Sequence, residues 1–275
     1  MNGPNSEALG QSVDAMPTLG GKPLAPLTAR SVVASVLLGT EPPVMSARAL
    51  VRSATLFGLA EGAVRTAMSR MVTKGELSRR TDGRYELAGH LVRRQSRQRA
   101  SRTPSVSTWS GNWEMWVVHT TARSAPQRAE LRRAARSLRL AELRDGVWIR
   151  PDNLDRSRLP DETAKLSTQA RRFATQPDMD SDLPERLWDL DGWNESALEL
   201  RRQMSTVHTR LDSDDPSALA PGFLLAAAVL RHLNDDPLLP REFLSRHWQG
   251  ERLRSDYEAY DRAYSALLTR WLQQH

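Results

Sequence analysis

Residues 61–87 read EGAVRTAMSRMVTKGELSRRTDGRYEL, and no other stretch narrows the possible fold as far. Val64, Met68, Met71 and Val72 recur at helical spacing, which predicts a helix from Glu61 whose apolar stripe faces two preceding helices. After Gly75 the period shortens. The runs ELSRR and RYEL alternate, and Thr81-Asp82-Gly83 between them is a strong hairpin signal. Upstream, LTARSVVASVLLG offers Thr28 as an N-cap and Val32, Val33, Val36 and Leu37 on one face. SARALVRSATLFGL follows, with Ser46 as cap, Leu50, Val51, Ala54 and Phe57 inward, and Gly58 closing the helix. Three helices and a hairpin form the layout of a winged helix-turn-helix, expected over residues 26–90.

The apolar stripe leaves Arg65, Thr66, Ser69 and Thr73 on another face, with Arg70 and Lys74 alongside. These residue types suit a helix entering the major groove of double-stranded DNA. Arginine donates a bidentate pair to guanine, and small hydroxyls approach base edges and phosphates closely. No acid lies between Glu61 and Glu76 to repel a phosphate, and Arg79, Arg80 and Arg84 surround the hairpin tip, where a wing touches backbone or minor groove. These nine residues are the candidate DNA-binding set. Charge distribution agrees with it: residues 1–105 carry 15 Lys/Arg against 7 Asp/Glu, and the remainder carries 24 against 26. A polyanion partner is therefore expected for the amino-terminal third.

The remaining chain divides into three parts. Residues 91–110 read as a basic linker, helical at first, with Arg93, Arg94, Arg97, Arg99 and Arg102 and no acid. Such a segment either rests on phosphates or is a solvated hinge. In residues 111–182, WEMWVV reads as a strand, APQRAELRRAARSLRL as a helix with Leu131, Ala135 and Leu138 inward, and DGVWIRP as a second strand. This β-α-β opening points to a ferredoxin-like domain, with QARRFAT as a later strand. Residues 183–275 are helical, and Tyr257, Tyr260, Tyr264, Leu267 and Trp271 make a stripe better suited to core than to a dimer interface. The whole is an α+β multidomain chain behind a disordered lead-in at 1–25.

Several classes are disfavoured. With no cysteine there are no disulfides or thiolate metal sites, and the six histidines lack paired metal-ligand spacing, so neither metal nor cofactor is expected. The longest apolar run, FLLAAAVL, is too short to cross a bilayer, and the start lacks a signal-peptide pattern; a cytoplasmic protein is the expectation. No catalytic residue stands out. Metal-dependent phosphodiester cleavage needs carboxylates, and VVHTT at the end of the first strand of the middle domain has none. A nuclease and a constitutive, ligand-free DNA-binding protein are the alternatives to a ligand-responsive regulator.

Four segments together are similar to the PaaX-type regulators, the repressors of phenylacetate catabolism: AVRTAMSRMVTKGEL, WSGNWEMWVV, LRLAELRDGVWIRP and DDPLLPREFLSRHWQG, the last two being the most specific. The resemblance runs from about Thr28 to the carboxyl end. It implies a winged helix, a ferredoxin-like middle domain related to small CRISPR adaptation nucleases, and a helical carboxyl-terminal domain. It also implies a homodimeric repressor of an aromatic-acid catabolic operon, released from DNA by an aryl-acyl-coenzyme A. The chain departs from the pattern in lacking a Ser or Thr cap before Glu61. It also has Ser110 and Asn112 in place of the commoner Asp and Arg, and Arg150 where a small hydroxyl is frequent. The effector's identity and its binding residues stay open.

Overall fold

Thr28 opens helix α1 (Ala29–Leu38) through a reciprocal capping box with Ser31. The computed structural model describes residues 27–120, 123–176 and 182–274, together with the backbone of a two-residue ladder before this cap, β1 (Thr18–Leu19) with β2 (Lys22–Pro23). The lead-in expected at 1–25 otherwise lies outside the described residues. Strand β3 (Val44–Met45) precedes α2 (Ala47–Thr55), which Ser46 caps. Helix α3 (Glu61–Thr73) starts at Ala60 without a side-chain cap, and Glu61 in its first turn complements the dipole instead. It ends in a Schellman motif: the Glu76 amide donates to the Met71 carbonyl, the Gly75 amide donates to Val72, and Gly75 takes φ +65°.

The chain then turns into β4 (Leu77–Arg79) and β5 (Tyr85–Leu87), with Gly83 at φ +79° closing a tight loop that a residue with a Cβ would strain. β3 adds to the free side of β5, giving the antiparallel order β3-β5-β4. Two residues are too few for a readable alternation, so this third strand has no sequence signature. The core joins Val32, Val33 and Leu37 of α1, Leu50 and Ala54 of α2, and Val64, Met68 and Met71 of α3. Val72 does not belong to it, contrary to the periodicity reading, and is 38% exposed. It lies about 80° round the helix from Val64, at the edge of a stripe that three residues already fill. The expected linker is also, for most of its length, a helix, α4 (His90–Arg102), with Leu91, Gln95 and Ser101 buried.

The middle of the chain folds as β6 (Trp113–Val118), α5 (Ala125–Ser137), β7 (Ala141–Arg144), β8 (Val147–Pro151), α6 (Pro160–Ser167) and β9 (Ala170–Thr175), followed by the short α7 (Leu183–Leu187). The four strands form one antiparallel sheet ordered β7-β8-β6-β9. Trp116 and Trp148 pack with Leu131, Ala134 and Ala135 of α5, its C-cap Leu138, and Leu166 of α6. Trp113 meets Phe243, at 5.7 Å between ring centroids. With both faces covered, all five residues of β8 are buried and no alternation survives. DGVWIRP is thus the third strand rather than the second. AELR, an edge strand with Glu142, Leu143 and Arg144 exposed, precedes it unheralded.

Three long helices complete the chain: α8 (Leu190–Asp212), α9 (Leu219–Asn234) and α10 (Gly250–Gln274). Tyr257, Tyr260, Tyr264 and Leu267 of the closing stripe are buried and belong to the core, while Trp271 is half-buried. Tyr260 donates to the Gly222 carbonyl at 2.9 Å, and a Cβ on Gly222 would stand 2.9 Å from the same hydroxyl. The run FLLAAAVL belongs to a helical segment longer than expected. Residues Pro216–Asn234 have the length and hydropathy of a bilayer span, yet half of that window is buried inside the protein, as in the core helix of a globular domain. Contacts divide the chain into two units rather than consecutive segments. The first combines Met1–Gln98 with Leu198–Arg231 and Leu253–His275, and the second combines Arg99–Ala197 with His232–Arg252.

Candidate nucleic-acid interface

All six candidate residues of α3 and its cap, Arg65, Thr66, Ser69, Arg70, Thr73 and Lys74, are exposed on the face opposite the buried stripe. Arg65 bridges Glu61 at 2.7 Å, with both side chains more than half exposed. An exposed i,i+4 pair of this kind is worth only about 0.3–0.5 kcal/mol, so the guanidinium is easily drawn to a better acceptor. The Thr73 hydroxyl donates to the Ser69 carbonyl, which holds its side chain close to the helix. Arg70 and Lys74 form no ion pair among the described residues.

The hairpin is less cationic than its sequence implies. Arg80 pairs with Glu86 at 3.0 Å and with Asp82 at 3.6 Å, and Arg84 pairs with Asp82 at 2.7 Å. The Asp82 carboxylate also accepts the Arg84 amide, and the Arg84 side chain and that amide together pull its pKa down to about 2. Glu86 is held ionised first by the Ser78 hydroxyl, then by Arg80. Arg79 alone of the three arginines forms no ion pair among the described residues. The sequence reading, which weighed the cations of the tip without their acids, overstates the charge presented there.

A cleft of about 540 Å³ lies between the first turn of α1 and α3, with Arg30, Arg70 and Lys74 among its lining. Arg30 grips Glu76 in a fork at 2.6 and 2.8 Å, which lowers the Glu76 pKa and leaves that carboxylate 9% exposed while the arginine stays 46% exposed. A sequence signal for Arg30 does exist. A cation in the first turn of a helix opposes the dipole, and no acid shares that turn. In the second unit, Glu114, the acid of β6, is fully buried and bound by Trp116, Arg156 and Arg172. Among the described residues no three His, Asp or Glu side chains converge in a metal-holding group.

The molecule is thus a mixed helix-and-sheet protein with a polar, cationic helix face exposed in its amino-terminal part. Family models match three successive parts of it: PaaX-like protein over residues 28–91, PaaX protein central Cas2-like domain over 106–182, and PaaX-like protein C-terminal domain over 188–274. The chain belongs to the PaaX-like family, and that membership places it among transcriptional regulators. It is similar to the solved structure of the uncharacterized protein Rv0674 from Mycobacterium tuberculosis, with 37% identity and a TM-score of 0.70 over 88% of this chain and 98% of that one. Among curated proteins, none matches.

Proposed function

We propose that the chain is a homodimeric transcriptional repressor in the cytoplasm whose amino-terminal helices and β3-β5-β4 sheet act as a winged helix-turn-helix. α3 is the recognition helix and the β4–β5 hairpin is the wing. The βαββαβ middle part, with its 2-3-1-4 strand order, is the ferredoxin-like domain. The observation that carries the reading is the outward face of α3: its exposed arginine, lysine and hydroxyl side chains serve no packing role, and they are of the types that read base edges and phosphates. Two such helices in a dimer would meet successive major grooves about one DNA turn apart. The regulated genes, on this reading, serve aromatic-acid catabolism, and an aryl-acyl-coenzyme A releases the repressor. A release that changes DNA affinity ~100-fold corresponds to ~2.7 kcal/mol of coupling.

The test begins with selection of a binding site from randomised duplexes. Arg65→Ala is expected to reduce the preference for the selected site over random DNA by about 1–3 kcal/mol, the worth of one bidentate base contact. An unchanged specificity ratio removes α3 from the reading role. Failure of the wild-type chain to retain any duplex removes the function.

A further inference from the structure

The cleft beside α3 and the arginines that continue it are not explained by base reading. Three cations border it, Arg30, Arg70 and Lys74, together with the hydroxyls of Thr28 and Thr66, while Ala67 and Met71 supply an apolar floor. Its one acid, Glu76, is already neutralised by the Arg30 fork, which leaves the remaining guanidinium donors of Arg30 outward. Helix α4 begins at the same corner. The Ala88 amide donates to the Glu76 carbonyl at 2.9 Å, and Gly89, at φ +55°, passes so near the Gly75 carbonyl that a Cβ there would stand 2.5 Å from its oxygen. Within α4, Leu91 is buried and Gln95 donates to the Leu38 carbonyl at 3.4 Å. Arg94, one turn beyond His90, is exposed on α4, and desolvation of its inner atoms, then Arg30, Arg97 and Arg231, lower its pKa. Arg94 and Arg231 form no ion pair among the described residues. A polyanion would supply the acidic partners that these two lack.

We propose that this cleft, with the arginine cluster continuing it onto α4, seats the sugar–phosphate backbone of the DNA strand flanking the groove that α3 enters. Deoxyribose carbons lie over Ala67 and Met71. Phosphates meet Arg30, Arg70, Lys74 and Arg94. The proposal rests on the DNA-binding reading, adds Arg30 to the nine candidate residues, and takes the phosphate alternative for Arg94 of the basic segment. Arg70 and Lys74 belong to both surfaces, which places the strand at the edge of the groove. DNA is the favoured occupant because the cations form a track along two helices of the unit that carries α3, whereas a compact phosphate ligand needs a single focus.

The test measures binding of the full-length protein to a random-sequence duplex and to the selected site across a salt series. Arg94→Gln and Lys74→Gln are each expected to flatten the slope of log K against log salt by about 0.9, the value of one phosphate contact. Each is expected to weaken both DNAs by the same factor, leaving the specificity ratio intact. Arg171→Gln, an equal charge change on the exposed side of β9, is expected to leave the slope unchanged. Thermal melts of Arg94→Gln, a surface substitution, show that the variant is folded. If wild-type protein binds DNA and Arg65→Ala relaxes specificity, but neither Arg94→Gln nor Lys74→Gln alters the slope, the track is refuted while the DNA-binding reading stands. If ADP raises the melting point of wild type but not of Arg94→Gln, with the slope again unaltered, the site holds a small phosphate ligand and the proposal is overturned. Absence of salt-dependent binding to any duplex refutes both.

Discussion

Arg150 is fully buried, and burial pushes its pKa down to about 10, with Glu114 pulling the other way; it remains charged at neutral pH. The guanidinium donates to the carbonyls of Leu138, Pro151 and Leu238 and to the Asn153 side chain, so it ties β8 to the end of α5 and to the loop after α9. Glu114 lies 3.9 Å away, too far for a strong pair, and is carried by Arg156 and Arg172 instead. Arg150→Ala is expected to destabilise the second unit by about 3 kcal/mol or more, since it leaves the buried carbonyls of Leu138 and Pro151 and the Asn153 amide oxygen without this donor, at about 1–3 kcal/mol for each unsatisfied group. Urea unfolding monitored by tryptophan fluorescence measures this, and a loss below about 1 kcal/mol would show that water replaces the guanidinium. Sequence marked Arg150 only as a departure from the family pattern. VWIRP by itself does not show that this arginine points inward, because two of its four acceptors, the Leu138 and Leu238 carbonyls, lie 12 and 88 residues away.

Among the elements, α3 was the most legible. Its limits, its inward residues apart from Val72, and its outward face all follow from a 3.6-residue period and a glycine stop, which operate within one or two turns of chain. α4 was half legible: helical propensity was visible, but its packing depends on Leu38 and Glu76. Trp193 was not legible at all as the centre of a stack. Its ring lies 4.3 Å from that of His232 and 4.4 Å from that of Trp248, and its indole donates to the His232 carbonyl. The imidazole Nε2 lies 2.9 Å from the Trp193 carbonyl, which sets the proton on that nitrogen. Burial lowers the His232 pKa below its ordinary 6.5, against smaller opposing effects from the Trp193 carbonyl, Asp235 and Asp236. A depressed histidine pKa means that the unfolded chain takes up its proton first as pH falls. The stack's contribution is therefore complete above about pH 6.5 and shrinks below it. Melting at pH 5.5 is expected to be lower than at pH 7.5, and His232→Asn is expected to narrow that difference. An equal pH response in the variant assigns the effect to other groups.

Across the full chain, the closing helices share a unit with the DNA-binding candidates. Arg52 of α2 donates to the Leu272 carbonyl at 3.0 Å and lies over the Trp271 ring, and Phe57 meets Phe223 at 4.9 Å. The helix that precedes α3 is thereby braced by α9 and α10. On the proposed reading, an aryl-acyl-coenzyme A that acts as effector raises the melting point of the DNA-free protein, by about 2.7 kcal/mol of added stability at 100 times its dissociation constant. It also weakens binding to the selected duplex, and DNA weakens effector binding by the same factor. A thioester that stabilises the protein without changing DNA affinity is not the effector. The caps, the hairpin turn, the outward face of α3 and the absence of cysteine needed no coordinates, because each depends on residue types a few positions apart. Folding alone decided which arginines are paired with acids, that 91–110 is mostly a packed helix, that Val72 is left outside the core, and that Arg30 grips Glu76 beside α3. Those outcomes depend on distances between segments tens of residues apart, and local periodicity carries no record of such distances.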